Sequence, residues 1–391
     1  MLTLLRDADV YAPEARGPCD ILVAAGVIVA VAPHLPALPA ELGAIEVELR
    51  GARVVPGLID AHAHVTGGGG ESGPASRVPP LSLSSITTGG VTTCVGVLGT
   101  DGTTRTVASL VARTLGLREE GLSAWCYTGS YELPLRTLTG SVRSDIAFVE
   151  PIVGVGELAL SDHRSSQPTL DELLRIASDA HVAGMMSDKA GIVHLHLGDG
   201  PRGLDLVRRA LAVSELPPRV FHPTHVNRQK RLFDEARELA QAGATIDVTA
   251  FPVDDGDPGL SAADAIGAYL DAGLPSGRLT CSSDAGGCLP TFDTDGRIAE
   301  MDVGRSSALA DTLRELVRRG RALSSVLPVF TTNVASVLRL RKKGAIAPGM
   351  DADLVVLDAE ARVRDVMARG EWMVRDGRVT VPGRFERRTT A

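Results

Sequence analysis

Asp60, His62 and His64 alternate with alanines in DAHAH, and four glycines and Glu71 follow within seven residues. In an extended chain, residues i and i+2 lie on one face, so His62 and His64 can point together and grip one ion. Further along, residues of metal-ligand type close apolar runs: Glu157 in IVGVGELAL, His196 in GIVHLHLGD, His225 in RVFHPTHVNR and Asp284 in RLTCSSDAGG. A lone histidine is usually a core or surface group, but six ligand-type residues at the ends of apolar runs point to a metal centre. Four histidines and two carboxylates exceed what one tetrahedral zinc takes. A pair of ions bridged by a carboxylate and a hydroxide uses them all. The expected cofactor is therefore two divalent ions, zinc by preference. His62, His64 and Asp284 would hold one and His196 and His225 the other, with Glu157 between them and Asp284 moving the proton. Of the remaining histidines, His34 and His181 read as surface and His163 as loop. His194 lies one step of alternation deeper than His196, and His222 sits earlier in its strand than His225, so all five are left out.

Positioning such a set needs strands ending at one face. From residue 52, short apolar runs alternate with amphipathic stretches: ARVVPGLIDAHAH, TTCVGVLGT, LSAWCYTGSY, IVGVGELAL, GIVHLHLGD, RVFHPTHVNR, ATIDVTAF and RLTCSSDAGG. Between several of them lie helical patterns, among them a stripe of Val107, Leu110, Val111 and Leu115. Eight β/α units predict an α/β fold with a closed (β/α)8 TIM-type barrel over residues 56–340, since about 250 residues is typical of that barrel and its functional face lies at the C-terminal strand ends. Residues 1–55 and 341–391 read as strand, turn, strand at both ends, which predicts one small β-sandwich domain built from both termini.

Composition narrows the partners. The 391 residues are 44% hydrophobic, enough for one large core with an appendage. Forty basic against 48 acidic residues leave a net charge of −8 with no basic block, which argues against nucleic acid and for a small-molecule substrate. No apolar run reaches the roughly 18 residues of a membrane span, and acids fall within the first ten positions, so no membrane partner and a cytoplasmic location are expected. Cys19, Cys94, Cys126, Cys281 and Cys288 show no CxxC spacing. All but Cys288 read as buried small hydrophobes. No GxSxG offers another nucleophile.

GLIDAHAHV with downstream His196, His225 and Asp284, then GAIAPGMDADLVVLD, resembles the amidohydrolase superfamily. HVTGGGGESGP, GVLGTDGTTR, TGSYELPLRTLTGSV, SDHRSS, HLGDG and PTHVNR together are similar, in order and over nearly the whole chain, to its bacterial isoaspartyl dipeptidases. The resemblance implies hydrolysis of β-aspartyl dipeptides by a metal-bridging hydroxide, in a homo-oligomer. It assigns Glu71 to the substrate's α-amino group, Arg164 and Arg228 to its carboxylates, and Tyr131 to the carbonyl oxygen. Thr100 and the backbone around Gly69 and Cys288 would line the pocket. A planar guanidinium suits carboxylates, and a phenol donates well to a developing oxyanion.

Two departures from the family pattern stand out. Glu157 occupies the place of a carboxylated lysine, in a stretch one residue longer than the lysine form, so no carboxylated lysine is expected. An extra strand residue predicts a bulge that re-aims the side chain. Cys288 stands where a serine is expected near the substrate carboxylate, and a thiol donates more weakly. The rival readings are an N-acyl-amino-acid deacylase, a cyclic-amide hydrolase, or a metal-free scaffold of the same fold.

Overall fold

The computed structural model describes residues 2–253, 257–292 and 298–386. Strands β1 (Leu2–Tyr11), β2 (Ala15–Ala24), β3 (Val27–Ala32), β4 (Ile45–Glu48) and β5 (Arg53–Pro56) open the chain. Eight strands then alternate with helices: β6 (Leu58–Ala63), β7 (Val91–Gly96), β8 (Ser123–Thr128), β9 (Ile152–Leu160), β10 (Ile192–Leu197), β11 (Phe221–Thr224), β12 (Ile246–Thr249) and β13 (Leu279–Ser282). A hairpin, β14 (Cys288–Phe292) and β15 (Ile298–Val303), follows. The chain ends in β16 (Leu354–Leu357), β17 (Val363–Ala368), β18 (Glu371–Arg375) and β19 (Arg378–Val379).

Both termini meet in one mostly antiparallel sheet, joined where β5 pairs with β1 on one edge and β16 on the other. Its hydrogen bonds run continuously through nine strands, where a sandwich would have two ladders. Alternate residues, among them Leu5, Ile21, Val54, Leu354 and Met367, pack into a core of their own. The run 52–64 divides at Gly57 into β5 and β6, which serve different sheets. A Cβ at Gly57 would stand 2.1 Å from the Thr92 hydroxyl, so the crossing needs glycine.

Every expected strand position in the central region is a strand. β6 to β11 form a six-stranded parallel sheet in sequence order, and β12 and β13 a parallel pair. A bridge between Ala63 and Ala285 and a Thr224 hydroxyl bond to Asp247 tie that pair to the two edges of the larger sheet. These strands are buried on both faces, which explains their unbroken apolar runs. Helices cover them with one apolar stripe each; in Val107–Glu119 it runs Val107, Leu110, Thr114, Leu117, leaving Leu115 43% exposed. The expected stripe holds at Val107, Leu110 and the partly buried Val111, and fails at Leu115. Among the described residues, no helix is long and apolar enough to cross a membrane. Cys19, Cys94, Cys126 and Cys281 are buried, as expected, and Cys288 is half-buried.

The expected bulge is present. Val155 pairs with Val193 but Leu158 with Leu195, so β9 carries one extra residue across Gly156 and Glu157.

Candidate active site

All six expected ligands converge at the C-terminal ends of the central strands. His62 and His64 project from the end of β6, with Nε2 atoms 3.4 Å apart. Asp284, two residues beyond β13 at φ +54, places Oδ1 3.4 and 3.1 Å from those nitrogens. Glu157 divides its carboxylate between two sides. Its Oε2 lies 3.5 Å from His62 Nε2 and 3.8 Å from His64 Nε2, while its Oε1 lies 2.8 Å from His196 Nδ1 and 3.3 Å from His225 Nε2. His225 follows β11 at φ +60, a backbone turn that aims its ring back at the cluster.

The donor set fits divalent cations. Glu157 Oε2 and Asp284 Oδ1 are buried without a hydrogen-bond partner, an arrangement that is costly unless a cation is shared. His62, His64 and Asp284 form one triad with donor atoms within 4.8 Å of one another, and His62, Glu157 and His225 form another. His196 stands outside the second triad and meets it through Glu157 Oε1. Nitrogen and carboxylate donors in such groups suit zinc and similar ions. Electrostatics agree: burial alone would raise the Glu157 and Asp284 carboxyls, but the surrounding histidines hold both well below the usual range. For His62, burial is outweighed by Glu157 and Asp284, which push the ring up to about 9, so the site draws positive charge. Burial pushes His225 down to about 3. Two of the lysines are engaged elsewhere: Lys189 Nζ donates to the Ile146 and Val149 carbonyls, and Lys343 pairs with Asp351 and Asp353.

A further set of contacts orients these side chains, as is usual where such groups hold a metal. His196 Nε2 lies 2.9 Å from Asp162 Oδ2, His225 Nδ1 2.7 Å from the Thr249 hydroxyl, and His62 Nδ1 2.8 Å from His194 Nε2. Asp60 accepts from the His62 amide and from the Ser283 amide and hydroxyl. Burial pushes its carboxyl up to about 6 against those bonds.

Above the cluster opens a cavity of about 720 Å³ whose walls include Gly69, Glu71, Thr100, Tyr131, Arg164, Arg228 and Cys288. Every residue that the resemblance assigned to substrate therefore lines one cavity with His64, Glu157, His196, His225 and Asp284. Glu71 Oε1 accepts from the Thr100 hydroxyl at 2.8 Å and lies 3.6 Å from Arg164, while its Oε2 is buried and unpartnered. Arg164 places its fork on Asp162 at 3.0 and 2.8 Å. Arg228 lies 3.6 Å from Asp199. The Tyr131 hydroxyl is 2.5 Å from His196 Nδ1; burial and the Glu157 charge raise its pKa far above the ordinary value, so it stays a donor. Burial pushes the Cys288 thiol up to about 11.

Sequence reasoning gave no role to Asp162, Asp60 or Arg105, and left the buried His194 and His222 out. The Arg105 guanidinium donates to the carbonyls of Thr66, Gly68, Gly69 and Val78 and to Asp101, so it clamps the glycine loop that carries Glu71. A Cβ at Gly67 (φ +77) would stand 1.9 Å from the Val78 carbonyl, which is why the loop can fold this tightly only with glycine. Asp162 and Arg105 lie within the quoted SDHRSS and GVLGTDGTTR, but their partners are distant in sequence.

Residues 53–373 match the amidohydrolase family. The chain belongs to that family. Among solved structures, this amidohydrolase is similar to the β-aspartyl dipeptidase of Fervidobacterium islandicum AW-1 in complex with β-Asp-Leu. The two are 41% identical with a TM-score of 0.92, over 97% of this chain and 98% of that one. It is 26% identical to the allantoinase of Streptomyces avermitilis over 90% of its length and 85% of the other. It is 38% identical to the adenine deaminase of Methanothrix thermoacetophila over 68 residues, only 12% of that enzyme.

Proposed function

We propose that this amidohydrolase is a binuclear metal-dependent dipeptidase that cleaves β-aspartyl (isoaspartyl) dipeptides. The observation that carries the reading is a match of charges around one cavity. A β-aspartyl dipeptide brings one ammonium and two carboxylates, and the walls offer the unpartnered Glu71 oxygen and the two guanidiniums of Arg164 and Arg228.

His62, His64 and Asp284 would hold one ion and His196 and His225 the other, with Glu157 shared between them. When bound, two divalent ions, zinc by preference, supply a hydroxide nucleophile at neutral pH and polarise the amide carbonyl. Asp284 takes the proton of the attacking water and passes it to the leaving amine. Tyr131 turns its hydroxyl from His196 to the carbonyl oxygen as charge develops there. Glu71 orients the α-ammonium, helped by the Thr100 hydroxyl, while the Gly69 and Cys288 backbone shape the wall beside it. The same reading closes the eight central strands into one barrel over residues 56–340. Residues 1–55 and 341–391 form the second domain, and the enzyme works as a cytoplasmic homo-oligomer.

Hydrolysis of β-Asp-Leu beside α-Asp-Leu and N-acetyl-aspartate, with metal content measured on the same sample, tests this. Turnover of the β-linked dipeptide alone, tracking bound metal, is expected. Preference for the acetylated compound would replace the reading with a deacylase, and a chain that binds no metal would leave only a scaffold.

A further inference from the structure

Behind His62, a line of buried polar side chains crosses the central strands. His62 Nδ1 lies 2.8 Å from His194 Nε2, and His194 Nδ1 lies 3.0 Å from His222 Nδ1. His222 Nε2 lies 3.0 Å from the Thr280 hydroxyl, which is 2.6 Å from Asp247 Oδ1. All five residues are fully buried. They come from β6, β10, β11, β13 and β12.

We propose that Asp247 and Thr280 are positioning residues that set the tautomer of His62 through His222 and His194, so that its Nε2 lone pair faces the metal centre. The inference rests on the binuclear reading and deepens it.

The direction of each bond follows from counting protons. A carboxylate has none to give, so the Asp247 contact takes the single hydrogen of Thr280; its other acceptor, the Ile246 carbonyl at 3.3 Å, would use that hydrogen too. The Thr280 oxygen therefore accepts from His222 Nε2–H. Two Nδ1 atoms face each other at 3.0 Å and share one proton. A neutral His222 has already placed its proton on Nε2, so the shared one belongs to His194. A neutral His194 then offers a bare Nε2, which accepts from His62 Nδ1–H. A neutral His62, the form that binds a metal, then keeps a bare Nε2, 3.4 Å from Asp284 Oδ1 and 3.5 Å from Glu157 Oε2. His194 and His222 are fully buried, with imidazoles and a hydroxyl as their hydrogen-bond partners rather than a carboxylate, a setting that disfavours a charged ring. Asp247 is itself anchored by the Thr224 and Ser282 hydroxyls, so the line ends on a fixed acceptor.

Thr280→Val removes the oxygen and keeps the shape. His222 Nε2–H then has no acceptor, and the line relieves this by reversing: His222 takes Nδ1–H, His194 takes Nε2–H, and His62 is driven to carry its proton on the nitrogen that faces the metals. Imidazole ¹⁵N spectra of the zinc-loaded wild type should show Nε2–H on His222 and Nδ1–H on His194. In Thr280→Val the metal-free protein should show both reversed. A zinc titration against a chromophoric chelator should find the variant about 10- to 100-fold weaker, the range for outer contacts of metal ligands. Thr280→Ser should restore both readouts, which a merely structural defect would not allow.

Zinc affinity in Thr280→Val within twofold of wild type overturns the proposal while leaving the dipeptidase reading intact. So does His222 carrying Nδ1–H in the wild type, a result that needs no variant to fold. A wild type that binds no zinc removes both.

Discussion

The ligand cluster and the cavity wall above it are built on opposite terms. In the cluster, buried donor atoms of one kind are drawn together: the unpartnered Glu157 Oε2 and Asp284 Oδ1 and the histidine nitrogens around them. On the wall, charges satisfy one another: Arg164 sits on Asp162, Arg228 near Asp199, and Glu71 beside Arg164 and the Thr100 hydroxyl. The second oxygen of Glu71 is left over. On the proposed reading cations complete the cluster, whereas the wall is a preformed template in which a substrate exchanges one set of ion pairs for another. Changes in the cluster should therefore abolish metal binding, and changes on the wall should alter recognition with the metals in place.

The largest effect should come from the cluster. His225→Ala or His62→Ala is expected to lose metal and to lower kcat/KM by at least about a thousandfold, because on the proposed reading the nucleophile is a metal-activated water. Metal analysis beside steady-state kinetics checks this, and full activity in a chelated sample would break the contrast. On the wall, Glu71→Gln should keep its metals yet lose about 30- to 3,000-fold in kcat/KM on β-Asp-Leu, the range for a desolvated charge pair of roughly 2–5 kcal/mol. Acetylating the substrate's α-amino group should cost wild type a similar factor and the variant little. A smaller loss, about tenfold and mostly in KM, is expected of Arg105→Lys, since an ammonium cannot serve four carbonyls and Asp101 at once. Faster proteolytic cleavage within 66–78 should accompany it.

The smallest effect concerns acid stability. Burial holds the His222 ring down to about 4, below the 6.5 of an exposed ring. The unfolded chain therefore takes up this proton first. The stability tied to the ring is complete above about 6.5 and lost as pH falls toward about 4, on the order of 3 kcal/mol in all. Urea unfolding between pH 7 and 5 should show a steeper loss in wild type than in His222→Gln.

What could be read from the chain alone follows the same division. Strand alternation placed His62 and His64 on one face, and the habit of ending apolar runs in a ligand-type residue marked Glu157, His196, His225 and Asp284. These signals are local, so one sequence carries them. The single extra residue in β9 was legible as a bulge for the same reason. Asp162, Asp60 and Arg105 were not legible, because each acts through a partner about 30 or more residues away, or through backbone carbonyls that have no sequence signature. His194 and His222 were left out of the ligand set for their depth, and they lie in line behind His62. Their role in line with Thr280 and Asp247 depends on register among five strands, which periodicity does not reveal. In the terminal domain, alternation predicted strands at both ends, but β5 joining β1 to β16 is a pairing between distant segments.

The central claim is that Glu157, carrying its charge without any added CO₂, is shared by two cations. Reconstituting chelated protein with zinc in carbonate-free buffer, and measuring bound zinc and β-Asp-Leu hydrolysis on the same sample for wild type and Glu157→Gln, tests it most directly. The account predicts two zinc ions per chain and full activity in wild type without bicarbonate. In Glu157→Gln it predicts fewer than two ions and little activity, since a neutral amide cannot compensate two cations in a buried site. Full zinc loading and activity in Glu157→Gln, or a wild type that recovers only when bicarbonate is added, would contradict it.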